Sequence, residues 1–95
     1  MTSNKPTVLY MASLEGNPVH NQKVYSTSSG LYLVSYDVFV AYKPHTGSVG
    51  ACRGIKWDYS KTTARYVRLF LHGYSVDTLP INDIQAMYEH DVKGG

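Results

Sequence analysis

The chain has 95 residues, of which 43% are hydrophobic and 17% are charged, and its formal net charge at pH 7 is +2. This length accommodates one domain with one modest core, and the composition excludes a disordered chain. The apolar runs are too short to cross a membrane, and the first residues lack the apolar segment of a secretory signal, so we expect neither. We expect a single domain over 1–95, with an ordered core at 6–90 and frayed ends at 1–5 and 93–95.

The cysteine, charge and aromatic content narrow the possible classes of protein further. The single cysteine, Cys52, cannot form a disulfide within the chain, which fits a reducing compartment. The net charge is too small to indicate nucleic-acid binding by itself. Nine tyrosines stand against two phenylalanines and one tryptophan. Tyrosine is favoured both in half-buried strands and at protein interfaces, so its excess fits either role.

The first half of the chain has the pattern of strands and turns. Residues 7–13 predict a first strand, which ends at the turn residues 15–18. A second strand at 19–26 is more polar, which indicates a strand at the sheet edge. Residues 26–30 are a loop by composition, and such a loop could also serve as a contact loop.

The strongest strand pattern covers 31–43, where every even position from Tyr32 to Tyr42 is apolar or aromatic. On the opposite face Ser35 and Asp37 interrupt the apolar series, which suggests a β-bulge.

A hairpin turn at 44–47 and a returning strand at 48–57 follow this segment. Gly50 and Gly54 leave one face of the returning strand thin, so another element is expected to pack closely there.

The apolar spacing then becomes helical. Ser60 is a good N-cap and Gly73 a good C-terminal stop, which predicts a helix over 61–72. A second helix is expected at about 80–90, with Thr78 and Pro80 at its start. The fold class is therefore α+β: one small domain with an antiparallel sheet of about four strands, followed by two helices packed on one face.

No arrangement of residues in the sequence points to catalysis. The histidines are scattered and lack metal-ligand spacing, no glycine-rich phosphate loop occurs, and Cys52 is more typical of a small buried hydrophobe than of a nucleophile. We therefore expect no enzyme activity, no catalytic residues, no metal and no cofactor.

The first helix carries the best candidate for a binding surface. Its basic residues are spaced 4, 3 and 4 apart, which places them on one helix face with an aromatic and an aliphatic residue beside them. The candidate partner-binding residues are Lys61, Arg65, Tyr66, Arg68, Leu69 and His72. The alternative is the ordinary solvated face of an amphipathic helix.

Hydroxyl residues cluster where this helix begins. Ser60, Thr62 and Thr63 can cap the first turn, and they could also form an anion-binding helix N-terminus. Both interpretations remain open from the sequence.

Two short patterns stand out between positions 35 and 71 of the chain. Ser35, Tyr36, Val40 and Ala41 form S-Y-x-x-x-V-A. The pattern Y-S-x-T-T-x-[RH]-x-x-x-x-F-L is formed over 59–71 by Tyr59, Ser60, Thr62, Thr63, Arg65, Phe70 and Leu71. Through these patterns residues 31–72 resemble a small uncharacterised domain of tailed bacteriophages. The resemblance implies a phage-encoded accessory protein in the cytoplasm of an infected bacterial host.

The leading functional hypothesis is a non-catalytic protein that binds and inhibits or redirects a host protein or ribonucleoprotein, plausibly a CRISPR-type defence component. The alternative is a nucleic-acid-binding accessory protein that uses the basic helix face with tyrosine stacking. A third hypothesis, a self-assembling virion component, depends on the expected edge strand at 19–26. The oligomeric state is left open between monomer and homodimer.

Overall fold

A computed structural model of the chain describes residues 6–94. It consists of five strands followed by two helices: β1 (Thr7–Ala12), β2 (Pro18–Ser26), β3 (Leu31–Ser35), β4 (Val38–Lys43), β5 (Cys52–Arg53), α1 (Lys61–Phe70) and α2 (Ile81–Tyr88). The strands form one antiparallel sheet in the order β1-β2-β3-β4-β5, so each strand pairs with its neighbours in sequence. The predicted α+β class is confirmed, with a sheet of five strands.

The expected long strand over 31–43 is wrong, because it folds back on itself as the β3–β4 hairpin. Tyr36 and Asp37 form the two-residue turn, with φ values of 50° and 67°. Positive φ at both positions is the requirement of a type I′ turn, which usually selects Asn-Gly. The even-position pattern runs straight through Tyr36, and the interruption of the opposite face at Ser35 and Asp37, from which a β-bulge was expected, is the position of this turn.

The expected strand at 48–57 is reduced to the two residues of β5. Gly54 follows it, and its N–H donates to the Val40 carbonyl at 2.7 Å. A Cβ at Gly54 would lie 2.6 Å from the Phe39 carbonyl oxygen, closer than side chains can approach. The expectation of close packing is confirmed at Gly54, where the backbone of β4 approaches, but not at Gly50, where a Cβ would meet only the Pro44 side chain, at 3.6 Å.

The edge of the sheet lies one strand earlier than expected. β2 is hydrogen-bonded to β1 on one side and to β3 on the other, so the predicted edge position at 19–26 is wrong. β1, which is more apolar in sequence, forms the edge instead. Gln22 shows why the polarity of this segment was misleading. It is a polar residue of β2, yet it is fully buried in the folded chain.

The two helices pack on opposite faces of the sheet, so the expectation of one shared face is wrong. Alternate residues of a strand point to opposite faces, and both faces of β3 are buried. Leu33 packs with residues of α1, whereas Tyr32 and Val34 pack with Ile84 and Tyr88 of α2. Each helix therefore covers its own core cluster, with the sheet between them.

Polar contacts fix both ends of α1 and confirm the predicted helix. The Ser60 hydroxyl accepts the Thr63 N–H at 3.1 Å, which caps the first turn. At the other end Lys43 Nζ donates to the Phe70 carbonyl at 2.8 Å, which satisfies one of the carbonyls left free at a helix C-terminus. The helix ends at Phe70, two residues before the predicted limit, and Gly73 follows with a φ of 85°.

The C-terminal helix is confirmed and extends further than expected. α2 begins after Pro80 and continues as a π-helical turn over Glu89–Lys93, beyond the predicted limit at 90. The ends predicted to fray at 1–5 and at Gly95 lie outside the described residues. None of the helices within 6–94 is long and apolar enough to cross a membrane.

The hairpin turn yields a stability prediction. We expect the double substitution Tyr36→Asn, Asp37→Gly to raise the free energy of unfolding by about 1 kcal/mol, because these residues adopt positive φ at lower cost. Urea denaturation measures the change. Tyr36→Ala is the control, since alanine keeps the cost of positive φ. An unchanged or lower stability in the double variant would contradict the type I′ assignment.

Candidate interaction surface

The outward side of α1 carries most of the predicted binding residues. We define the α1 face as the exposed residues Lys61, Arg65, Arg68 and Leu69 of the helix together with the exposed His72, which lies in the turn just after it. Leu69 is 54% exposed and is the apolar member of this face. Within residues 6–94 none of the basic side chains of this face forms an ion pair. The face therefore offers cationic groups and an apolar group to a partner.

Tyr66 does not belong to this surface, so its prediction as a partner-binding residue is wrong. Its side chain is only 7% exposed and lies in the core cluster with Leu33 and Val40. On this helix the apolar stripe is wide enough to include position 66. The Arg65 guanidinium lies 5.7 Å from the Tyr66 ring centroid and covers part of it.

The hydroxyl cluster at the start of α1 caps the helix. Thr63 is fully buried, and its hydroxyl oxygen lies 3.0 Å from that of Ser60 and 2.9 Å from that of Ser35. Thr62 alone of the two threonines is exposed. The predicted anion-binding set Ser60, Thr62 and Thr63 is therefore wrong as a set, because the Thr63 hydroxyl is committed to its neighbours and out of reach of a ligand.

A second group of side chains joins the α1 face to β5. The Arg53 guanidinium lies 4.4 Å from the Trp57 ring centroid, and the Arg68 guanidinium lies 5.8 Å from it. Both distances are within the range of cation–π interactions. We call Arg53, Trp57, Arg68 and Asp77 the Trp57 cluster. Because Arg68 belongs to both groups, the α1 face and the Trp57 cluster form one continuous surface.

Asp77 holds Arg53 in place within this cluster. Its carboxylate accepts the Arg53 backbone N–H at 3.3 Å and the guanidinium Nε–H at 3.0 Å, and a second guanidinium nitrogen also donates to it. The Arg53 hydrogen bond lowers the pKa of the Asp77 carboxyl. Asp77 has a φ of 62°. Such a conformation costs free energy in a residue with a side chain, so the surrounding contacts must enforce it.

Two shallow clefts lie on either side of the Trp57 cluster. One has a volume of about 370 Å³ and includes Ile55, Leu79 and Ile81. The other has a volume of about 320 Å³ and includes Val67, Leu71 and Val76. Arg53, Trp57 and Asp77 border both clefts. Tryptophan and arginine between apolar recesses are the composition of a protein-interface hot spot.

Comparison with known protein families identifies the family of this chain. A model described as a family of unknown function (DUF8033) matches residues 2–86. The chain belongs to this family. No curated protein and no solved structure matches it. The DUF8033 match includes the whole α1 face and the whole Trp57 cluster, and it ends within α2.

Sequence reasoning missed three residues of the surface formed by the α1 face and the Trp57 cluster: Arg53, Trp57 and Asp77. Trp57 is the only tryptophan of the chain, and tryptophan is the residue type most enriched at binding hot spots. That enrichment is the signal that could have drawn attention to it. Nothing in the sequence indicated that Asp77, 24 positions after Arg53, would bind its guanidinium.

The Cys52 thiol and the potential metal ligands are the groups in which nucleophilic or metal chemistry would be sought. Cys52 is 1% exposed, and burial raises the pKa of its thiol, which disfavours the reactive thiolate. Residues 6–94 contain no group of three histidine, cysteine or acidic side chains that could hold a metal ion.

A polar network around Asp91 joins the C-terminal segment to the sheet. One carboxylate oxygen accepts the Ser29 hydroxyl at 2.7 Å and the Tyr32 hydroxyl at 2.9 Å, and the other lies 3.0 Å from His90 Nδ1. The carboxylate stands between the serine and the histidine. In a catalytic triad the histidine is in the middle, where it can take the serine proton, so this order of groups anchors the segment and does not activate Ser29.

The protonation of Asp91 is coupled to folding. Burial alone would raise the pKa of its carboxyl, but the hydrogen bonds it receives outweigh burial and lower that pKa below its usual value. A carboxyl whose pKa is lower in the folded state stabilises the fold above its unfolded pKa of about 4, and this contribution is lost as the pH falls through the folded pKa.

We therefore expect Asp91→Asn to lower the free energy of unfolding by about 1 to 2 kcal/mol near neutral pH, since hydrogen bonds to a charged group are lost. The difference from wild type should shrink as the pH falls below the unfolded pKa of about 4 and then through the lower pKa of the folded state, where the wild-type carboxyl becomes protonated. Urea denaturation across this range measures both values. Glu15→Gln, in the exposed β1–β2 turn, is the control. A pH-independent difference would show that Asp91 acts through packing alone.

Proposed function

We propose that this chain is a non-catalytic accessory protein that binds an acidic surface of a host macromolecule through the α1 face and the Trp57 cluster. The observation that carries the proposal is the continuity of these two groups through Arg68, which places free cationic side chains beside a tryptophan bordered by two apolar clefts. A helix face that only contacts solvent would not require a tryptophan and two apolar clefts beside it.

The physical properties of the surface favour a protein partner. Asp77 already holds Arg53 in one orientation, so less side-chain entropy is lost when a partner binds it. Arg65 and Arg68 lack ion pairs within the described residues and can meet carboxylates of a partner. Leu69 and the clefts add apolar area to be buried. Interfaces of this type combine an apolar, aromatic centre with a polar rim.

The class of partner follows from the sequence resemblance. If the chain is a phage accessory protein, its partner is a host protein or ribonucleoprotein, and inhibition or redirection of a CRISPR-type defence component is the activity that such a binding protein would have. The site of action would then be the cytoplasm of the infected bacterium.

Charge reversal tests the surface. We expect Arg65→Glu, Arg68→Glu to weaken binding by about 2 kcal/mol or more, or about thirtyfold in Kd, because two attractive charges become repulsive at the centre of the interface. The measurement is retention of a bacterial host protein from nuclease-treated lysate, followed by titration of that purified protein. Both residues are exposed, so the fold should persist, which circular dichroism verifies.

A matched control changes the net charge equally at another place. Lys23→Glu, Lys93→Glu alters two exposed or half-exposed lysines, of which Lys23 pairs with Val34 on the α2 side of the sheet. We expect this variant to bind like wild type. Equal loss in both variants would indicate nonspecific charge attraction, and unimpaired binding by the arginine variant would place the interface elsewhere.

Nucleic-acid binding is the second candidate, and the free basic side chains of α1 favour it. Tyrosine stacking has less support on this surface, because Tyr66 is buried and the nearest exposed tyrosine in sequence is Tyr59, 50% exposed just before the helix. This candidate predicts that log Kd for a single-stranded oligonucleotide changes linearly with log salt, with a slope near the number of phosphates contacted. Absence of binding at low salt would eliminate it.

A further inference from the structure

β1 forms an edge of the sheet that no other segment of residues 6–94 covers. It is the terminal strand, its sequence Thr7–Ala12 contains no charged residue, proline or glycine, and its pairing with β2 is regular from Thr7 to Tyr10 before the register shifts ahead of Ala12. Val8, Leu9 and Tyr10 are 41%, 49% and 43% exposed, although each is large and apolar or aromatic. Proteins usually protect sheet edges with charges, proline, bulges or a covering segment, because free backbone groups pair with other strands.

The opposite edge of the same sheet is covered. Residues 75–78 run along the outer side of the chain that leads into β5: Ser75 N–H donates to the Ser48 carbonyl at 2.6 Å, and Thr78 N–H donates to the Ala51 carbonyl at 3.1 Å. Side chains complete the cover, since the Arg53 N–H donates to Asp77 and the Gly50 N–H to the Thr78 hydroxyl. Only the β1 edge is left without such cover among residues 6–94.

The charges that flank β1 in the sequence differ in sign. Lys5 comes before the strand, and Glu15 comes after it. Antiparallel pairing of two identical strands aligns the beginning of one with the end of the other, so unlike charges approach at both ends. Parallel pairing would bring like charges together. The strand itself adds no repulsion, because it carries no charge.

We propose that β1 pairs antiparallel with β1 of a second copy of this chain, around a two-fold axis that extends the sheet through both copies. Pairing would satisfy the free backbone groups of β1 and place its exposed side chains beside those of the second copy on both faces of the extended sheet. Because the β5 edge is covered, a two-fold pair leaves no further edge to extend, and the assembly stops at a dimer. The proposal does not depend on the function of the α1 face.

Sedimentation analysis over a concentration series tests the dimer. We expect the wild-type chain to form a reversible dimer and Leu9→Lys to be monomeric over the same range, because two lysines would face each other near the axis. Leu14→Lys is the matched control: Leu14 is 86% exposed in the turn after β1, and this variant should dimerise like wild type. Circular dichroism verifies that both variants fold.

Cross-linking identifies the strand even if Leu9→Lys affects folding. Residues on the axis of a two-fold antiparallel pair meet their own counterparts, so either Leu9→Cys or Tyr10→Cys should form an intermolecular disulfide under mild oxidation. Leu14→Cys should not, and the buried Cys52 is present in every variant as background. A wild-type chain that is monomeric at all concentrations would overturn the proposal, as would a dimer that persists in folded Leu9→Lys and gives no cross-link through β1.

Discussion

The burial of β3 on both of its faces is the constraint on which the rest of the structure depends. Tyr32, Leu33 and Ser35 are inaccessible to solvent, and Val34 is 3% exposed. A strand with no solvated face needs a covering layer on each side. A chain of 95 residues meets this need with two helices, one per face. Each helix then has a single buried stripe, and the outward side of α1 remains available for other roles.

An irregularity in β4 lets one short hairpin serve both layers. The register between β3 and β4 shifts after Leu33, which pairs with Ala41, so that Val34 pairs with Phe39 and Val40 is the extra residue. Val40 and Ala41 both join the cluster beneath α1, whereas Phe39 stacks on Tyr88 of α2 with ring centroids 5.0 Å apart. A bulge directs successive side chains to the same face, which increases the apolar area that β4 offers to α1.

The parts of the fold that could be predicted were those with local signals. Capping chemistry marked the start of α1 at Ser60, and glycine marked its end, because both requirements act within one turn of helix. The hairpin at Tyr36 and Asp37 carried no comparable signal, and strand alternation is the same whether a segment is straight or folded back. The face of the sheet that each helix covers depends on tertiary contacts, which no local sequence pattern records. For the surface, helical spacing located Arg65 and Arg68, but burial of Tyr66 and the partnership of Arg53 with Asp77 arise only from the folded chain.

The hydroxyl groups beneath α1 determine which way that helix faces. Thr63 lies under the helix between Ser60 and Ser35, and Gln22 lies beside Ser35 in the sheet register with no hydrogen-bond partner for its side-chain amide within residues 6–94. Buried polar groups contribute little to stability, but they penalise every arrangement in which they lose their partners. A rotation of α1 about its own axis would expose its apolar stripe and would also break the Thr63–Ser35 contact. The direction in which the arginines of α1 point is thus set from inside the protein, by the apolar stripe together with two buried hydroxyl groups.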